Sequence, residues 1–133
     1  MKHLFAVAAL AAVVVVGVSC GHDGPSGPVA GTLSVRLTSP NSGADEAILV
    51  TVAGPTALTS AAAGPGLRLF QQPLGGATTR FALVGRLNTG ATILTIGVGD
   101  VSRANEYRTA IDGIAQPDYQ LRSLDGYQLT VVR

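Results

Sequence analysis

Cys20 is the only cysteine of the chain, so it holds the only thiol available for nucleophilic or modification chemistry. The sequence from Gly31 to Arg133 contains no His, Cys, Lys or Trp. Ser-His-Asp and Cys-His catalysis therefore lack their base there, Schiff-base and P-loop chemistry lack their lysine, and zinc lacks its usual ligands. We expect no catalytic residue, no metal site and no cofactor in this part of the chain.

The residues before Cys20 form an export signal. Lys2 and His3 give a short basic start, and the 15 residues from 4 to 18 carry no charge before the small residue Ser19. A positive start, an apolar run of 7–15 residues and a small-residue cleavage site are typical of a secretory signal. The run is shorter than the roughly 20 residues that a full membrane span needs.

This segment resembles the signal peptide of bacterial lipoproteins, in which a small residue precedes a cysteine at the cleavage site. The resemblance implies diacylglycerol on the Cys20 sulfur, cleavage between Ser19 and Cys20, and acylation of the new amino terminus. Gly17 departs from the family pattern, where Leu is commonest. Gly21 stands where Asp would favour inner-membrane retention, so the resemblance points to the outer membrane. The alternatives are an ordinary cleaved signal that adjoins a cysteine and an uncleaved membrane anchor.

The segment from Cys20 to Gly31 is predicted to be a flexible tether, because Gly, Pro and Ser dominate it. His22 and Asp23 lie in this tether. Two potential ligands do not make a metal site without a third, so we interpret both as solvated linker residues.

The charge balance argues against a nucleic-acid partner. Removal of residues 1–19 takes away one Lys and no acid, and eight Arg then face eight Asp and Glu. Non-specific nucleic-acid binding depends on concentrated positive charge, which this chain does not have.

Residues 32–133 form one domain of short strands with turn signals between them. Alternation of apolar and polar residues predicts strands at 32–38, 47–53, 67–71, 78–84, 91–98, 119–124 and 127–132. The nearly continuous apolar character of 91–98 predicts a central strand, reached from the preceding one by a hairpin-like turn at 88–90. Residues 105–115 fit a helix or a strand, and we favour the strand; 56–66 could be a helical turn, a loop or an irregular strand.

This pattern predicts an all-β fold, an antiparallel Ig-like β-sandwich of about seven strands, with a small closed barrel as the alternative. In strand pattern alone the domain resembles Ig-like and cohesin-like modules of bacterial surfaces. The Cys and Trp landmarks of antibody-type domains are absent from it.

The remaining reactive groups are carboxylates: Asp45, Glu46, Asp100, Glu106, Asp112, Asp118 and Asp125. Paired carboxylates could serve a glycosidase, and the last three could gather around calcium. Their spacing does not match an EF-hand loop, and each adjoins turn-like sequence. We therefore favour local turn roles, where Asp bonds to its own backbone.

Three other groups of residues could have a functional role, but each also has a structural explanation. The run from Gly97 to Asp100 could begin a dinucleotide loop, but it lacks the third glycine and a following helix, so we favour a strand end and a turn. The tyrosines could line a ligand surface, although such residues more often pack a sandwich, one of them as a tyrosine corner. The arginines are spread over solvent-facing positions. The groups are Tyr107, Tyr119 and Tyr127, and Arg36, Arg68, Arg80, Arg86, Arg103, Arg108 and Arg122.

We therefore expect an exported envelope lipoprotein, anchored in the membrane through Cys20, with a non-enzymatic domain in a structural or protein-interaction role. The alternative is a small ligand-binding or glycan-binding module of the cell envelope. An exposed groove or aromatic patch would favour the ligand; a flat apolar patch or an unpaired edge strand would favour a protein partner.

Overall fold

The structure is a computed structural model that describes residues 27–133. It is all-β, with two four-stranded antiparallel sheets packed face to face, which confirms the predicted β-sandwich. The eight strands are β1 (Gly31–Thr38), β2 (Asp45–Ala53), β3 (Ser60–Ala63), β4 (Arg68–Gly75), β5 (Thr78–Leu87), β6 (Thr92–Val98), β7 (Arg108–Ala115) and β8 (Gln128–Val132). A short 3₁₀ helix, Val101–Glu106, precedes β7.

The strand order interleaves the two sheets. The first sheet has the order β3-β6-β1-β8 and the second the order β4-β5-β2-β7. Of the seven connections between successive strands, only the β4–β5 hairpin stays within one sheet. The domain shares the two-sheet sandwich architecture of Ig-like domains. Its first two strands, β1 and β2, lie in different sheets.

The core consists of the inward side chains that the alternation predicts. Every second residue is buried on β1 from Leu33 and on β2 from Ile48. On β5 the buried residues alternate at Phe81 and Leu83, whereas β6 buries the adjacent pair Ile93 and Leu94. The buried aliphatic and aromatic residues are Leu33, Val35, Leu37, Ile48, Val50, Val52, Phe81, Leu83, Leu87, Ile93, Leu94, Ile96, Val98, Tyr107, Ile114 and Tyr127. β6 is an inner strand of its sheet, which confirms the predicted central strand.

One open assignment is resolved and two local predictions need correction. The uncertain segment 56–66 contains the edge strand β3, whose alanines give a weak apolar pattern. The predicted strand at 119–124 is a loop, with one isolated bridge between Leu121 and Ala115. The turn at 88–90 is a crossover from the second sheet to the first, where the Gly90 backbone N–H bonds the Leu37 carbonyl at 2.7 Å.

A β-bulge explains why residues 105–115 fit both periods. β7 pairs with β2 through Gly113 opposite Leu49 and Ile111 opposite Val50, so Asp112 has no partner on β2. The extra residue shifts the phase of the strand by one. Ile111 and Ile114 consequently both face the core at a spacing of three, which imitates a helix. The favoured strand prediction is confirmed from Arg108 onward.

The sandwich has two distinct ends, which we call lower and upper. At the lower end the chain enters β1, and the Val101 backbone N–H bonds the Val29 carbonyl at 2.8 Å. At the upper end β1 leaves toward β2, and the Gly43 backbone N–H bonds the Leu87 carbonyl at 2.7 Å. The loop 116–126 between β7 and β8 also lies at the upper end, because β8 begins opposite Thr38.

Candidate functional site

The outer faces of the two sheets differ in chemistry. On the first sheet, outward positions are mostly hydroxyl, amide or guanidinium side chains: Thr32, Ser34, Arg36, Thr38, Ser60, Thr92, Thr95, Gln128 and Thr130. On the second sheet, outward positions near the upper end are apolar. These positions alternate with the buried residues of β2, β5 and β7, so they face solvent.

Strand register aligns these apolar positions into two rows. In the upper row Val84 lies opposite Ala47, and Ala47 opposite Ala115, which forms the bridge to Leu121. In the next row Phe70 lies opposite Ala82, Ala82 opposite Leu49, and Leu49 opposite Gly113. We call these eight residues the apolar stripe. It crosses the whole sheet, and its two end residues stand out from it, with Phe70 52% and Leu121 78% exposed.

Polar side chains border the stripe. The Arg80 Nε atom lies 3.6 Å from Asp112 Oδ2, and the Thr51 hydroxyl donates a hydrogen bond to the same carboxylate. The Arg68 guanidinium lies 5.5 Å from the centroid of the Phe70 ring, within the range of a cation–π contact. The stripe is therefore bounded toward the lower end by an ion pair and at the β4 edge by a cation.

The loop that presents Leu121 is held by hydrogen bonds on both sides of it. The Gln116 backbone N–H bonds the Gln120 carbonyl at 2.9 Å, and the Arg122 backbone N–H bonds the Ile114 carbonyl at 2.9 Å. The Arg122 side chain forms an ion pair with Asp45 at the start of β2. Leu121 is thus fixed beside Ala115, although its own side chain is mostly in solvent.

Asp45 is the centre of a buried polar network. Its side chain is fully buried, and it accepts hydrogen bonds from Arg122 Nε and, at 2.5 Å, from the Tyr127 hydroxyl. Asn41 Nδ2 donates to the Tyr127 oxygen at 2.8 Å. Burial, and then the bond to Asp45, raises the pKa of Tyr127; the Asp45 hydrogen bond raises the pKa of Arg122. These contacts join the loop, β2 and β8.

The same loop contains a strained residue. Tyr119 has a φ of 67°, which non-glycine residues rarely adopt, and it is 85% exposed. Its backbone N–H bonds the Gln116 carbonyl at 2.8 Å, and the Gln120 backbone N–H bonds Asp118 Oδ1 at 3.1 Å. Asp118 therefore takes the turn role that the sequence indicates, whereas the turn role predicted for Asp112 is wrong, because Asp112 lies on β7.

The structure disperses the other carboxylates. Asp100 caps the 3₁₀ helix by accepting from the Ser102 backbone N–H at 3.1 Å, and its hydrogen bonds to Ser102 are the main cause that lowers its pKa. Glu106 forms an ion pair with Arg103, Nε to Oε2, at 2.7 Å, and this contact lowers the Glu106 pKa. Among residues 27–133, no three His, Cys, Asp or Glu side chains form a group that could hold a metal ion.

The remaining candidates have structural positions. Gly97 and Val98 end β6, so the glycine run is a strand end followed by the Asp100 cap. Tyr107 and Tyr127 are buried, and their hydroxyls contact side chains, Thr56 in the case of Tyr107. The signal and lipidation predictions at Ser19 and Cys20, with His22 and Asp23, lie outside the described residues.

Comparison with known protein families, with characterised proteins and with solved structures gives no match for this chain. Within residues 27–133 the structure has no helix both long and apolar enough to cross a membrane.

Proposed function

We propose that this chain is a lipid-anchored envelope protein whose sandwich domain is non-enzymatic and binds another envelope protein. The observation that carries the proposal is the apolar stripe. The outer face of the first sheet is polar, whereas the outer face of the second sheet carries two apolar rows, with Arg68 at the β4 end of the upper row. Such an apolar surface is suited to contact with protein. The signal-like segment that ends at Cys20 supports the anchor.

The composition of the stripe supports a protein partner more than a glycan. Its members are aliphatic or small, and Phe70 is its one aromatic ring. Glycan sites depend on aromatic faces, whereas a contiguous exposed apolar patch is typical of a contact with protein.

The anchor is tested by labelling with palmitate in cells that express the full chain. We expect Cys20→Ala to abolish incorporation, because the Cys20 sulfur would carry the diacylglycerol and its amino group the further acyl chain. Ser19→Ala is the matched control, since it keeps a small residue at the cleavage position and should keep the label. Label that survives Cys20→Ala would refute the anchor.

A further inference from the structure

The dimensions of the apolar stripe define what can lie on it. From the β4 edge at Phe70 to Leu121 it spans four strand spacings, which is about 19 Å, and its two rows are about 7 Å apart. An α-helix is roughly 10–12 Å wide with its side chains and rises 1.5 Å per residue, so about 13 residues, roughly three and a half turns, cover this length. Helices are the common cover for an apolar sheet face.

We propose that the apolar stripe is the docking site for one amphipathic helix of a partner protein, lying across the strands, with an acidic residue opposite Arg68. This inference rests on the proposed function and names its contact surface and partner chemistry. Leu121 and Phe70 are the two projecting anchors, and between them the small side chains of Ala47, Ala82 and Gly113 form a shallow floor for larger apolar residues of the helix.

The charged residues at the border of the stripe determine which charge the facing side of the partner helix should carry. Arg80 forms an ion pair with Asp112, whereas Arg68 makes no ion pair with any residue from 27 to 133. Arg68 is instead stacked over Phe70 at the end of the stripe. A carboxylate of the docked helix would form an ion pair with Arg68 at the rim of the stripe. Ion pairs at a rim favour the correct orientation of the partner more than they add affinity.

The area argues against a second copy of this chain as the occupant. Two rows over this length amount to roughly 250–300 Å² of surface, well below the ~800 Å² per partner of a stable interface. One helix matches this footprint, and a contact of this size belongs to the weak, transient class.

The stripe lies away from the end at which the chain enters the domain. The chain enters the domain at the lower end, beside Val29, whereas the stripe lies near the upper end with the start of β2. The two are separated by most of the length of β1, about 20 Å.

The test places a photo-crosslinking amino acid at Phe70 or at Leu121 of the full chain in its native envelope. Leu74 is the matched control, because it is an exposed apolar residue of the same strand, 44% exposed, and outside the stripe. Thr130 reports on the outer face of the other sheet. We expect both stripe positions to crosslink the same protein, with the crosslinked peptide in an amphipathic helical segment that carries acidic residues.

A second substitution tests whether one helix spans both anchors. With the crosslinker at Phe70, Leu121→Glu should reduce the crosslink about tenfold or more, whereas Leu74→Glu should leave it unchanged. Leu121 is largely in solvent, so its substitution should not alter the urea unfolding curve.

Several results would overturn the helix-docking inference. These are crosslinks from the stripe to lipid or to a second copy, equal crosslinks from Leu74, and a partner peptide that is an extended strand. Protein crosslinks from Thr130 but not from the stripe would remove the inference and keep a protein-interaction function. If none of the four positions crosslinks a protein, both proposals fail.

Discussion

Asp45 is the residue on which the upper end of the molecule depends. It is a fully buried carboxylate, and a buried charge is tolerated when it is paired and hydrogen-bonded. Arg122 supplies the pair and Tyr127 a second donor, from two segments that are far from β2 in sequence. Sequence patterns placed Arg122 in solvent and Tyr127 in packing and gave Asp45 no structural role, because a contact between residues about 80 positions apart leaves no local pattern.

The Tyr127 hydroxyl should contribute measurably to stability. Tyr127→Phe keeps the ring and removes the donor to Asp45, so a buried carboxylate loses one of its hydrogen bonds. Bonds to charged groups contribute about 1.5–3 kcal/mol, and we expect a loss of that size in the free energy of unfolding in urea. Tyr119→Phe, at an exposed position, is the control and should be neutral. A Tyr127→Phe protein as stable as the parent would show that water replaces the bond without cost.

The raised pKa of Tyr127 predicts a loss of stability in alkali. The folded state holds the phenol proton more tightly than the unfolded chain, because burial and Asp45 disfavour the phenolate. This contribution is complete below the ordinary pKa near 10 and is lost as the pH rises through the higher folded-state pKa. We expect the free energy of unfolding to decline more steeply above pH 10 in the parent than in Tyr127→Phe. Parallel pH profiles would contradict this assignment.

At the scale of elements, alternation predicted the strands whose inward residues are large and aliphatic. It failed in β3, where the inward residues are alanines. It also failed at 119–124, where the positive φ of Tyr119 and the ion pair of Arg122 accompany a loop instead of a strand. The apolar stripe could be foreseen only in part. The outward residues Ala47 and Leu49 are apolar in the sequence, but their alignment with Ala82 and Leu121 depends on register, which the sequence does not encode locally.

The close approach of β3 to β6 makes Gly64 essential at its position. A Cβ at Gly64 would collide with the Thr92 carbonyl oxygen and lie 3.1 Å from the Ile93 Cα, and neither backbone atom can turn away as a side chain can. We expect Gly64→Ala to lower the free energy of unfolding by about 1–3 kcal/mol or more, as overpacking does. Gly99→Ala is the control, because nothing lies within 4 Å of its added Cβ. Equal melting temperatures for the two variants would contradict the prediction.

At the scale of the whole molecule, the chain is joined mainly by contacts between distant segments. β1 is paired with β6 and β8, and β2 with β5 and β7. The all-β class followed from the sequence, whereas this pairing did not, because short strands of similar composition can be paired in many orders.

Pairing between distant strands predicts slow folding. Each ladder except the β4–β5 hairpin closes a long loop, and proteins with such topology refold in milliseconds to seconds. Stopped-flow dilution from urea, followed by tyrosine fluorescence, should therefore give a main phase in that range. Complete refolding within microseconds would contradict the topology.

None of the six ladders joins two of the first four strands: every partner of β1, β2, β3 and β4 comes later in the chain. A polypeptide that enters a new compartment amino terminus first would therefore deliver everything up to Gly75 before its first native pair could form. The second sheet can begin only when β5 arrives, and the first sheet only when β6 arrives. Such a domain stays without native strand pairs, and so can pass through a narrow channel, until its second half emerges. A product truncated before Thr78 has no native ladder to form.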